Sequence, residues 1–124
     1  MKKLEKFYNE FTGRAFENSC FVTKDFTSFS RKLKNALKAD AEEADLELVA
    51  YSCGHFEVSA FLENSYTGKI VYLRVSEVRD RDCAAAMSRV LIRTAKSVKD
   101  FTGGQNYFVP LTEVVSSAKR LTDF

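Results

Sequence analysis

The chain has no tryptophan, a single proline, a single histidine and only three cysteines in 124 residues. Cys20, Cys53 and Cys83 are odd in number and widely spaced, and no two form a C-x2-C pair. Structural zinc sites usually bring their ligands in such paired knuckles, so neither a metal nor a cofactor is expected. The thiols read instead as buried hydrophobic side chains. No apolar run is long enough for a signal peptide or a membrane span, and no targeting signal is read at either end. The expectation is a cytoplasmic protein with free thiols and no membrane contact. An excess of one charge is also missing. Nineteen Lys and Arg against 17 Asp and Glu give a net charge of +2. That is too small to imply nucleic acid by charge alone, and it argues against the strongly acidic balance of wholesale DNA mimicry.

Phenylalanine, by contrast, is abundant at 11 residues. Each Phe carries a large apolar area and no polar atom to satisfy, so a Phe-rich core is expected, with some Phe left for a partner surface. The length fits one domain, residues 1–124, large enough to bury a core without staples. Leu4, Phe7, Tyr8 and Phe11 mark one helical face, predicting a helix over 2–12 that Gly13 ends. Residues 19–23 read as a short strand. Phe26, Phe29, Leu33, Leu37, Ala41 and Ala44 form a second stripe, predicting a helix over 26–44 with a basic middle.

The acidic end of that helix, Asp40 to Asp45, opposes the helix dipole at a cost of a few tenths of a kcal/mol, which suggests fraying or a role for the carboxylates. Alternation predicts strands over 46–53 and 56–63, joined by a tight turn at Gly54-His55. In this pattern Tyr51 shares a face with Glu47 and Val49. A turn over 64–69 leads to a third strand over 70–75, completing an antiparallel meander. Residues 82–99 fit both a helix capped by Asp82 and a strand, with a short helical turn near 83–88 followed by a strand preferred. Tyr107 to Val109 should be extended before Pro110, and Thr112 should cap a final helix. The expected class is α+β, an antiparallel sheet of three to five strands packed against two to four helices.

The densest chemistry lies between Arg93 and Asn106, where three cations, a carboxylate, a double glycine and two carboxamides share fourteen residues. Adjacent glycines lose much backbone entropy on folding, so this stretch is costly as filler. It suits contact with a phosphate, a carboxylate or a partner protein. Gly103-Gly104 lacks the P-loop pattern, and a turn with positive φ is the stronger reading. Arg74, Arg79, Arg81, Arg89, Arg93, Lys96 and Lys99, with Tyr72, Phe101 and Tyr107, could form an RNA-binding face. RRM signatures are absent, and Asp80, Asp82 and Asp100 dilute the charge, so a solvated face is the stronger reading. His55 follows Cys53 at i+2, a conceivable nucleophile–base pair, yet no Asn or Asp is placed to orient the imidazole. A turn histidine beside a buried cysteine is the stronger reading there.

Three islands together resemble a family of small accessory proteins carried on plasmids, phages and conjugative elements. They are Phe21-Val22-Thr23 leading to Phe29-Ser30-Arg31-Lys32-Leu33, then Gly54-His55-Phe56, then Arg93-Thr94-Ala95-Lys96 through Asp100-Phe101-Thr102-Gly103-Gly104-Gln105-Asn106. Such elements carry inhibitors of host defence, including anti-CRISPR proteins that bind a Cas9-type nuclease. The resemblance implies a non-enzymatic protein that binds and inhibits a host defence complex, its partner being a CRISPR effector nuclease or its guide complex. Arg93, Lys96, Lys99, Asp100, Gly103, Gly104, Gln105 and Asn106 are the expected partner contacts. Asp40, Glu42, Glu43, Asp45 and His55 are secondary candidates. A nucleic-acid-binding accessory module and a small Cys/His enzyme are the alternatives.

Overall fold

A computed structural model describes residues 2–12, 24–54, 57–76, 83–101 and 104–123. The chain is α+β. Among the described residues, four helices, α1 (Lys3–Phe11), α2 (Lys24–Glu43), α3 (Cys83–Met87) and α4 (Val114–Thr122), accompany five strands. The strands are β1 (Leu46–Cys53), β2 (Val58–Asn64), β3 (Ile70–Val75), β4 (Val90–Ala95) and β5 (Tyr107–Val109). They lie in the order β1-β2-β3-β4-β5, and every neighbouring pair is antiparallel. The meander read from the sequence therefore continues through two further strands. The ambiguous segment divides into the short helix α3 and strand β4, as preferred. The strand expected over 19–23 lies outside the described residues. Among the described residues, no helix is long and apolar enough to cross a membrane.

Alternation sorts the side chains onto two faces. Val58, Ala60, Leu62, Val71, Leu73, Val75, Val90 and Ile92 point to one side, where they join the buried stripes of α1, α2 and α4. Phe7, Phe11 and Phe29 interlock between α1 and α2, with ring centroids 4.8 to 5.1 Å apart. Edge and tilted contacts of this kind add to the area each ring buries.

Three local expectations need correction, and a fourth, at the acidic end of α2, resolves to a role for its carboxylates. Strand β1 carries a bulge between Leu48 and Ala50, so the extra residue reverses the alternation that follows. Tyr51 consequently faces α2, where its hydroxyl donates to the Ser30 carbonyl at 2.7 Å. Cys53 is a free, exposed thiol rather than a buried one, because β1 runs on past the core. Thr112 caps nothing: Leu111–Glu113 form a 3-10 turn, and α4 begins behind Glu113 without a side-chain cap. Finally, the acidic end of α2 does not fray. Asp40 is 2% exposed, and its carboxylate accepts the backbone N–H groups of Lys3 at 3.1 Å and Leu4 at 2.9 Å. It caps α1 from a neighbouring helix, where a negative charge is favoured by the free N–H groups and the dipole. Asp45 ends α2 with φ 61°, the left-handed conformation that Asp tolerates better than most residues.

Candidate functional site

No helix crosses the second face of the sheet in the described residues. Its middle row runs Ala50, Phe61, Tyr72, Arg93 from β1 to β4. Phe61, Tyr72 and Arg93 are nevertheless buried, because the loop after β4 folds back over them. Phe101 packs edge-on against Phe61 at 5.4 Å and Tyr72 at 5.8 Å.

Arg93 holds that loop in place. Its side chain is 2% exposed and lies over the Tyr72 ring, 4.7 Å from the centroid. The guanidinium donates to the carbonyls of Thr94 and Asp100 and sits 3.7 Å from the Asp100 carboxylate. That carboxylate also accepts the Lys96 backbone N–H at 3.0 Å. The Ser97 hydroxyl accepts the N–H of Lys99 at 3.2 Å. A buried cation is costly unless paired and hydrogen-bonded, and here both conditions are met by one loop. Gly104 completes the closure. It has φ +80°, and a Cβ at this position would stand 3.0 Å from the Thr94 carbonyl oxygen. Only glycine fits both the conformation and the approach.

The residues expected as partner contacts thus divide into two sets. Arg93 is sequestered and the half-buried Asp100 is turned inward, so they shape the loop. Lys96, Lys99, Gly104, Gln105 and Asn106 are exposed along it. Gly103 lies outside the described residues. Among the secondary candidates, Asp40 and Asp45 serve the structural roles above, Glu42 and Glu43 are exposed, and His55 is outside the described residues.

Sequence reasoning did not single out Phe108. It pairs with Leu91 across β4 and β5, in the row that continues through Arg74 and Ser59. Phe101 and Phe108 are 56% and 52% exposed, and the Arg89 guanidinium lies 5.0 Å from the Phe108 ring centroid. Arg74 Nε is buried with no hydrogen-bond partner among the described residues. The only hint in the sequence was the surplus of Phe. Phe101 follows the exposed Lys96 and Lys99 in the loop, and Phe108, with Arg89 against its ring, lies in the short edge strand β5. Lys96 also borders a cavity of about 330 Å³ with Ile70 and Leu121, a recess next to the loop.

No protein-family model, curated protein or solved structure matches the chain.

Proposed function

We propose that this chain is a non-enzymatic binding protein that engages a protein partner through the loop of residues 96–106 and strand β5. The observation that carries the reading is the exposure of Phe101, on the loop that Arg93 and Asp100 hold in place, and of Phe108 in β5. Protein interfaces are enriched in aromatic residues and Arg, with a polar rim. A loop already ordered before binding loses little further freedom when a partner docks. The resemblance to mobile-element accessory proteins supplies the context. In it, the partner is a host defence complex, a Cas9-type nuclease being the sharpest case, and binding inhibits it.

The test is DNA cleavage by a purified Cas9-type nuclease with its guide, with and without this protein, paired with capture of the effector from nuclease-treated lysate. Inhibition and capture should both be lost in Phe101→Ala/Phe108→Ala and weakened in Lys96→Glu/Lys99→Glu, while Glu42→Lys/Glu43→Lys should change neither. Loss in the Glu42/Glu43 variant alone would move the contact to the end of α2. Cleavage unaffected by the wild-type protein would remove the nuclease as partner.

One observation favours a second reading, a nucleic-acid-binding module. Arg74 and Phe108 share a row on the face opposite the helices, with Arg89 over the ring, and arginines beside stacking rings suit single-stranded bases and phosphates. Binding of naked single-stranded RNA or DNA that falls steeply with salt would select it.

A further inference from the structure

On the opposite side of the molecule, the first half of α2 and the end of β1 enclose a cavity of about 450 Å³. Phe26, Ser30, Arg31, Lys34, Tyr51 and Cys53 line it. It arises from the same bulge that turns Tyr51 toward α2. Beyond Tyr51 the strand continues to Cys53 and Gly54, while α2 extends past it as far as Phe26, so the two elements form walls around a space the core does not fill. The size lies within the range of small-molecule sites.

The polar atoms of the floor are already satisfied. The Tyr51 hydroxyl donates to the Ser30 carbonyl at 2.7 Å and stands 3.2 Å from the Ser30 hydroxyl, and the Phe26 ring adds only apolar surface. The mouth is different. Arg31 and Lys34 are both exposed. Arg31 makes no ion pair among the described residues, and the Lys34 ammonium lies over the Tyr51 ring, 5.7 Å from its centroid. Among the described residues, no carboxylate lines the cavity. A partly aromatic floor beneath two cations with no ion pair among the described residues is complementary to one kind of occupant. An apolar body would lie beside the half-buried Tyr51 ring, while an anionic head meets the guanidinium and ammonium, a charge-assisted pairing at which Arg excels.

We infer that this cavity is a binding site for a small organic anion with a planar apolar body, such as an aryl carboxylate or sulfonate. The site is independent of the loop at β5 and of the function proposed for it. The Cys53 thiol stands in its wall, so an occupant covers that thiol.

The probe is anilinonaphthalene sulfonate, titrated by fluorescence into the folded wild-type protein at low ionic strength. A single saturable site is expected. Arg31→Gln and Lys34→Gln, both at exposed helical positions, should each weaken binding about tenfold, the scale of one lost charge-assisted contact. Bound probe should also slow alkylation of Cys53 by iodoacetamide, read by peptide mass mapping on the wild-type chain. Absence of saturable binding overturns the inference. So does an affinity that neither substitution moves, or an alkylation rate at Cys53 that the probe leaves unchanged.

Discussion

On the helix side of the sheet, Leu62, Leu73 and Ile92 disappear beneath α2 and α4, whereas on the other side Phe61, Tyr72 and Arg93 disappear beneath a single loop. The first side is closed mainly by apolar area. Aliphatic and Phe side chains there need no partner, and any well-shaped neighbour will do. The second side contains a guanidinium, so its cover must supply carbonyls and a carboxylate at fixed positions. This makes the loop's shape specific, and it leaves the loop's outer surface, with Phe101 and the lysines, free for another task. A face closed by area is robust but featureless. A face closed by directed bonds presents a defined surface to a partner.

Substitutions on the two sides should therefore fail differently. Leu73→Ala, on the helix side, should cost roughly 2–5 kcal/mol from lost burial and the cavity left behind. It should lower the urea midpoint of the whole domain while leaving the loop's relative protection unchanged. Arg93→Met keeps apolar bulk over Tyr72 but strands the carbonyls and carboxylate it served, at about 1–3 kcal/mol for unsatisfied groups. Hydrogen exchange should then rise at Lys96 and Lys99 more than in β2 or β3. Uniform acceleration across the sheet would show that the loop and the core are one cooperative unit. Gly104→Ala should cost about 1–2 kcal/mol for the left-handed conformation, with a further contribution from the approach to the Thr94 carbonyl. If its midpoint equals wild type, the loop closes by another route.

A further effect concerns pH and the helix side. Burial pushes the Tyr51 phenol up to about 12, with the Ser30 hydrogen bond opposing the shift and the neighbouring Cys53 thiolate adding to it. An unfolded tyrosine ionises near 10. Stability from this group is complete below about pH 10 and is lost as pH rises toward about 12. A denaturation midpoint that drops over that window in wild type, and less in Tyr51→Phe, would locate the titration. Identical pH profiles for the two proteins would remove Tyr51 from it.

Much of the fold was legible because it depends on periodicity. Strands β1 and β3 have the bounds that alternation predicts, and the stripe from Phe26 to Ala41 lies buried along α2. The same logic failed at the bulge, since one extra residue inverts the pattern and nothing local to Leu48-Val49-Ala50 announces it. The candidate site was legible as a segment and not as roles. Arg93 and Lys96 are alike in charge and stand three residues apart. Which one is buried depends on where Tyr72, two strands' length away in the chain, places its ring.

Asp40 teaches the same lesson on the helix side. Its charge at a helix C-terminus looked like a local conflict and is instead resolved by α1, a helix that begins 37 residues earlier. Composition and spacing alone determined the single α+β layer arrangement, the apolar stripes and the glycine-marked turn, because burial of alternating or helical faces is a one-dimensional property. Only the tertiary structure decided which charges go inside, which Phe rings stay out, and where a cavity opens behind the bulge. Those outcomes require partners from distant segments to meet, as Asp40 meets Lys3 and Arg93 meets Tyr72.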